Sequence, residues 1–309
     1  MPAIFKLIRL PNLLIIAMTQ YLVHYALIHS YGVHTTMGIK GFLILSLATV
    51  LIAAGGYVIN DYFDVQVDRI NKDKNAIGTL ISRRTAMALH LVLSGLGIIV
   101  GFFLAWRIGM LSLGSIQLIC AILLWLYSTN FQKKILLGNL TISFLAAMVV
   151  LSVGLFEVIP VIDFDNSGNL KNLFKVISGY AFFAFLTTLI REIVKDAEDF
   201  TGDLEMGYRT LPIAYGLRKT KSLLISLSIF LLLCILLFTY KILIDEQMHL
   251  AYVTLTLILP NILLIYQLST ASNKSDFHRS STLIKVIMLC GILSMLIFQL
   301  LSKYAEVAA

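Results

Sequence analysis

Two acid-rich stretches hold the residues best suited to chemistry. NDYFDVQVD, residues 60–68, places Asp61, Asp64 and Asp68 behind Asn60. REIVKDAEDFTGDLEMGYRTLP, residues 191–212, places Asp196, Asp199 and Asp203 at the same D-x-x-D-x-x-x-D spacing. Positions i, i+3 and i+7 fall on one face of a helix, so the spacing predicts a stripe of three carboxylates in each stretch. Such like charges repel unless a cation, a proton or water offsets them. Clustered oxygen ligands with open positions suit Mg2+, which keeps several waters and bridges to substrate phosphates.

Basic residues flank both stretches. Arg69, Lys72 and Lys74 follow the first, Lys195 and Arg209 surround the second, and the loop YSTNFQKKILLGN (127–139) adds Lys133 and Lys134. A divalent metal with Lys and Arg is the combination that neutralises a diphosphate. Arg83, Arg84, Arg218 and Lys219 are better assigned to membrane topology.

The elements that must position these groups are membrane helices. Of 309 residues, 59% are hydrophobic and 13% charged, against roughly 25% charged in soluble domains. About 20 apolar residues make one crossing. Nine runs qualify, near 12–30, 41–60, 86–105, 111–129, 138–159, 173–192, 220–241, 249–269 and 282–302. The expected fold is therefore an all-α polytopic membrane bundle forming a single domain, 1–309. Lys6 and Arg9 precede a run too long for a secretory signal, and no A-x-A-like site follows, so the first helix is expected to stay.

Nine crossings sort the loops into two sets. The set that begins with Lys6 and Arg9 holds 18 of the 24 Lys and Arg. The opposite set holds Lys40, Arg107, Lys171, Lys175, Lys241 and Lys303. The positive-inside bias puts the first set and the N-terminus in the cytoplasm, with the C-terminus across an inner membrane. Both acidic stretches then lie at cytoplasmic helix ends, on the second and sixth helices. The net charge of +7 is mostly topology signal with some attraction to lipid headgroups. Nothing points to nucleic acid. Cys120, Cys234 and Cys290 all fall inside expected spans as small core hydrophobes. The histidines, among them His24, His34, His90, His249 and His278, are scattered and read as packing.

With these residues in view, the sequence resembles the UbiA superfamily of intramembrane prenyltransferases. NDYFDVQVD is similar to its N-D-x-x-D-x-x-x-D signature, and residues 199–203 fit its second D-x-x-x-D motif. Gly207, Thr210, Leu211 and Pro212 continue as G-x-x-T-L-P. The YS…KK…GN loop and an opening R-x-P-N (Arg9, Pro11, Asn12) match as well. The family implies a nine-helix bundle whose cytoplasm-facing cavity opens to lipid, and Mg2+-dependent transfer from an isoprenyl diphosphate to a lipophilic acceptor. Carried over by position, Asn60, Asp64 and Asp68 make one metal site and Asp199 and Asp203 the other, with Asp61 and Asp196 in support. Lys133 and Lys134 join them in catalysis. Arg9, Asn12, Lys72, Lys74, Tyr127, Lys195 and Arg209, with Asn60, would bind the diphosphate.

Within the family the paired stretches look most like the branch that prenylates geranylgeranylglycerol phosphate, where geranylgeranyl diphosphate is the donor and an ether the product. Aromatic quinone precursors are the alternative acceptors. The R-P-x-x-x-G-like segment common after the first motif is missing, since residues 74–83 read KNAIGTLISR. Either Lys72 and Lys74 supply the charge instead, or this branch handles its substrates differently. Aromatic faces near the motifs (Tyr57, Tyr62, Phe63, Tyr127, Phe131, Tyr180, Phe182, Phe183, Phe185) are candidates to face positive charge on the prenyl carbon.

Two rival functions are weaker. A divalent-cation transporter would place its carboxylates near the midplane on broken helices. A CDP-alcohol phosphotransferase would carry D-G-x-x-A-R before its acids, and no such string occurs. DFDNSG (163–168) imitates a calcium loop, but position twelve is Phe174 and not Glu.

Overall fold

The structure, a computed structural model, describes residues 3–32, 37–70, 77, 81–164, 168–242 and 247–308. Among the described residues nine helices are long and apolar enough to cross a membrane. They are Leu10–Ile28, Gly38–Val65, Arg83–Ile108, Leu111–Thr129, Leu137–Ile162, Asn169–Glu198, Leu217–Tyr240, Leu250–Thr270 and Lys274–Ile297. The nine expected spans are all present, and no strand is found among the described residues beyond an isolated bridge from Ile77 to Ile81.

Several helices outrun the bilayer, and the acidic motifs lie where two of them do so. The second runs Gly38–Ile70, 33 residues, or about 50 Å at 1.5 Å per residue, against a hydrocarbon layer of about 30 Å. Its surplus turns carry NDYFDVQVD, so the motif is helical throughout. The sixth runs Asn169–Glu198, and its last turn carries Asp196. The expected boundaries at 60 and 192 were short because falling hydropathy marks the end of the hydrocarbon, not the end of a helix.

The chain divides into two compact units, Met1–Gln132 with Met148–Ser178, and Lys133–Ala147 with Gly179–Ala309. In the first unit the second and third helices pack through small residues, which let membrane helices approach closely. A methyl on Gly97 would meet the Ala48 carbonyl oxygen at 2.9 Å and Ile52 Cγ1 at 2.6 Å. The third helix is capped at both ends. The Ser82 side chain accepts from the Thr85 amide, and Gly109 closes the helix at φ 81°, as N- and C-cap chemistry favours. Leu7 shares a buried cluster with Val58, Val65, Ile77 and Ala86, which fixes the short N-terminal helix (Ala3–Leu7) beside the first acidic stretch.

A polar seam also runs through this unit. The buried Gln20 amide donates to Thr49 Oγ1 at 3.0 Å, the Val149 carbonyl at 3.3 Å and Ser152 Oγ at 3.2 Å. His24 Nδ1 lies 2.7 and 2.9 Å from the two Glu157 oxygens, and its ring stacks on Phe42 at 4.4 Å. The packing role expected for His24 thus includes a polar partner.

The second unit has an apolar core of its own. Leu186, Ile190, Ile193 and Val194 of the sixth helix pack with Leu224, Leu231, Leu264, Phe277, Ile284 and Ile287, fixing the helix that leads into the second acidic stretch. The eighth span begins in the helix Gln247–Val253 and passes through a π-turn at Thr254–Ile258 before Leu259–Thr270 begins with Pro260 in its first turn, where a missing N–H costs least.

Candidate active site

The first acidic stretch is built from i, i+4 pairs. Asn60 Nδ2 donates to Asp64 Oδ2 at 2.7 Å, one helical turn on. Gln132 Nε2 reaches both Asp64 oxygens at 3.2 Å. Asp64 is 9% exposed, and these two amides hold its carboxylate in one orientation. Asn60 Oδ1 is buried and has no hydrogen-bond partner among the described residues. A buried unsatisfied oxygen is costly. Together with the Asp64 carboxylate it makes a pair of hard oxygen donors of the kind Mg2+ prefers, so the residues present fit the ion that the sequence implies.

Beside this pair stands a second one. Arg9 Nη2 donates to Asp61 Oδ1 at 2.8 Å, and the Arg9 guanidinium lies over the Tyr57 ring at 5.2 Å. Burial works against the charged guanidinium, but the Asp61 carboxylate outweighs it, and the Arg9 pKa is held above its ordinary value. Arg9 sits in the left-handed region at φ 51°, unusual for a side chain of its size, as the cap of the first membrane helix, which begins at Leu10 with Pro11 in its first turn. The backbone turn aims the side chain back along the second helix. Asn12, in the first turn, is exposed, and its backbone N–H donates to the Arg9 carbonyl at 2.8 Å.

Aromatic rings continue from the motif. Tyr62 lies under the Arg83 guanidinium at 5.7 Å and edge-on to Phe63 at 5.1 Å. Phe63 meets Trp125, and Trp125 meets His90. Tyr127 is half-buried at the end of the fourth span. The backbone of Asp68 continues the second helix, but its side chain, with Lys72 and Lys74, lies outside the described residues.

The second acidic stretch departs from expectation. Its three aspartates do not share one uninterrupted helical stripe. The sixth helix ends at Glu198, Asp199 turns the chain at φ −91°, ψ 9°, and a short helix Phe200–Glu205 resumes. Hydrogen bonds from the Asp199 amide to the Lys195 carbonyl (2.9 Å) and from the Asp203 amide to the Asp199 carbonyl (3.0 Å) span the break, so it is a kink. Asp196 and Asp203 remain near enough to repel each other. Asn139 Nδ2 donates to Asp196 Oδ2 at 2.8 Å, repeating the amide–carboxylate theme of the first stretch.

The 127–139 loop organises the cations of this unit. The Lys133 carbonyl accepts from the Arg209 amide at 3.1 Å, and Lys133 Nζ lies over the Tyr208 ring at 5.5 Å. The structure thus brings Lys133 to the segment that follows Asp203. Lys134, Lys195 and Arg209 all have exposed side chains. Glu198 is bound to His278 at 2.8 Å. Tyr180, by contrast, sits in the core of this unit with its hydroxyl 3.1 Å from Ser294 Oγ. Among the described residues no three His, Cys, Asp or Glu side chains are gathered tightly enough to hold a metal by themselves. Asp64 and Asp196 are engaged by amides and Asp61 by Arg9.

Gln132 and Asn139 were missed in the sequence. Both stand inside the loop singled out for its lysines, but a carboxamide has no charge to draw attention to it.

The chain matches the UbiA prenyltransferase family profile over residues 16–301. It is 32% identical over 260 residues to digeranylgeranylglyceryl phosphate synthase of Methanosphaera stadtmanae, covering 82% of this chain and 86% of that one. A solved structure of a digeranylgeranylglyceryl phosphate synthase superposes with a TM-score of 0.69 at 26% identity, over 96% of this chain and 97% of that one. A UbiA homologue of Archaeoglobus fulgidus, solved with GPP and Mg2+, shares the fold at a TM-score of 0.56 and 16% identity, over 95% and 99% of the two chains. The family motifs, the nine apolar helices and these matches agree: the chain belongs to the UbiA prenyltransferase family and is an integral membrane prenyltransferase.

Proposed function

We propose that this enzyme transfers the geranylgeranyl group of geranylgeranyl diphosphate to geranylgeranylglycerol phosphate, forming an ether in an Mg2+-dependent reaction. The bond from the prenyl C1 to the diphosphate oxygen breaks, a bond to the acceptor hydroxyl oxygen forms, and the hydroxyl proton leaves. The observation that carries the metal–diphosphate reading is the Asn60–Asp64 pair with its buried, unpartnered Asn60 oxygen. The acceptor assignment rests on the Methanosphaera relative and its name.

Each acidic stretch supplies its own oxygen ligands, Asn60, Asp64 and Asp68 in one and Asp196, Asp199 and Asp203 in the other. Mg2+, when bound, contributes positive charge that stabilises the departing diphosphate. Arg9, Asn12, Tyr127, Lys133, Lys134, Lys195, Arg209 and, beyond the described residues, Lys72 and Lys74 bind and orient its oxygens. The apolar helices keep water from the allylic carbon while it carries positive charge.

The chain acts as a single prenyltransferase domain, 1–309, a reading supported by a family match that runs through both compact units. It lies in the cell's inner membrane with the N-terminus and both acidic stretches cytoplasmic and the C-terminus opposite, as 18 of the 24 Lys and Arg favour.

Purified protein with Mg2+ and geranylgeranyl diphosphate, offered geranylgeranylglycerol phosphate and an aromatic acid side by side, tests the proposal. The expected product is the phosphoglycerol ether. Prenylation of the aromatic acid alone would sink the ether-lipid assignment, and no product from either would sink prenyl transfer.

A further inference from the structure

The geometry points to Asp61 as a positioning residue that holds Arg9 for the diphosphate, and not as a metal ligand. This rests on the prenyl-transfer reading above and sharpens one residue of it.

The second helix presents two separate i, i+4 pairs. Asn60 and Asp64 form one, joined at 2.7 Å. Tyr57 and Asp61 form the other, and between them they grip Arg9 by a 2.8 Å hydrogen bond and a ring contact at 5.2 Å. Four residues are a little over one helical turn, so each pair makes a continuous local surface and the two surfaces lie side by side. The chemistry of the second is that of a guanidinium cradle, an aromatic face below and a carboxylate at one end.

Three features of Arg9 fit this role. Its bond to Asp61 uses Nη2, and a guanidinium has five N–H donors in a rigid fork, leaving others to meet phosphate oxygens. Its side chain is 44% exposed while that of Asp61 is 16% exposed, so the carboxylate faces inward and the cation outward. Its left-handed backbone at φ 51° is a strained conformation of the kind that persists where surrounding structure fixes it. A carboxylate already bonded to an arginine is also a poor metal ligand, since the cation would have to displace the guanidinium or share the oxygens with it.

The test separates metal binding from substrate binding. Mn2+ alone, followed by its paramagnetic resonance signal, reports ligand loss without turnover. For Asp61→Asn the expected Mn2+ affinity stays within about twofold of wild type, while KM for geranylgeranyl diphosphate rises roughly tenfold with kcat less changed, as for loss of one charge-assisted contact. Asp64→Asn is expected to weaken Mn2+ binding. Asp61→Glu, which keeps the charge, restores most of the KM. Arg9→Gln should match Asp61→Asn, and the double variant should be no worse than either alone. Arg9→Lys approaches the same contact from its other partner and reads it even if Asp61→Asn does not fold.

Loss of Mn2+ binding in Asp61→Asn comparable to Asp64→Asn, or additive effects of the Arg9 and Asp61 variants, would overturn the assignment. Wild-type protein distinguishes the two levels of argument. No turnover of geranylgeranyl diphosphate by wild type removes the prenyl-transfer reading itself. Normal turnover with an Mn2+ defect in Asp61→Asn removes only the role of Asp61.

Discussion

The two acidic stretches carry the same D-x-x-D-x-x-x-D spacing on different backbones. The first lies on one unbroken helix, Gly38–Ile70. The second crosses a kink at Asp199 between Asn169–Glu198 and Phe200–Glu205. A continuous helix fixes the angles between its aspartates, so the first set is prearranged by backbone geometry alone. In the second set the kink decides where Asp203 stands relative to Asp196, and hydrogen bonds across residues 195–203 must hold it. Yet each stretch has a carboxylate held by a neutral amide, Asp64 by Asn60 and Gln132 and Asp196 by Asn139. An amide orients a carboxylate without bringing a charge of its own. That is the shared design, and backbone continuity is the difference.

The largest effect should come from the acids themselves. Asp64→Ala and Asp199→Ala are each expected to lower prenyl transfer by about 1000-fold or more, the scale of removing a metal's charge from a departing anion. The protein should remain folded and inserted. The measurement is turnover of radiolabelled geranylgeranyl diphosphate beside circular dichroism. Full activity of either variant would remove that stretch from the site. Because Asp199 stands at the kink, its Ala variant should also alter protease sensitivity around residue 200, whereas Asp64→Ala should leave its helix intact.

Next come the amides. Substitution of a group that orients a metal ligand typically costs 10–100-fold. Gln132→Leu leaves Asp64 with Asn60 as its amide donor, so a loss near tenfold is expected. Asn139→Leu removes the one amide among the described residues that is bonded to Asp196, and a loss nearer 100-fold is expected. The apparent Mg2+ requirement, measured by titration of activity, should rise in both. Equal losses would mean that the two stretches do not differ in how firmly their carboxylates are held.

The scaffold under the first stretch gives a smaller, purely structural effect. Gly97→Ala places a methyl 2.9 Å from the Ala48 carbonyl oxygen, an overpacking expected to cost about 1–3 kcal/mol. Thermal unfolding in detergent should shift down while KM for the diphosphate stays near wild type. A changed KM with unchanged melting would show that the second and third helices tune the site directly.

How much of this could be foreseen follows from what a sequence displays. The nine spans were visible because the bilayer demands long apolar runs, whatever their packing. The paired acids were visible because charge is rare in such a chain. The kink at Asp199 was invisible, since spacing rules assume a helix that continues, and KDAEDFTGD contains no proline to announce a break. Gln132, Asn139 and Gln20 were invisible because amides are ordinary in loops and helices alike until a partner is known. Glu157 pairs with His24 across 133 positions of sequence, a separation over which no local pattern extends. Arg9 was visible, but not its attachment to Asp61, which needs a left-handed turn that nothing in RLPN specifies apart from the proline.

The smallest expected effect tests the kink from outside. Glu198 is the last residue of the sixth helix and is bound to His278 at 2.8 Å, with side-chain exposures of 15% and 65%. Even as an ion pair, a contact with one partner so exposed would be worth only about 0.2–1 kcal/mol. If the backbone bonds across residues 195–203 are what hold the kink, Glu198→Gln should lower kcat by less than about twofold and leave melting almost unchanged, since the glutamine oxygen still accepts from the imidazole. A much larger loss in kcat, with melting unaffected, would mean that the pair with His278 sets the position of the adjacent Asp199. The second stretch would then depend on a side-chain tether where the first depends on its helix.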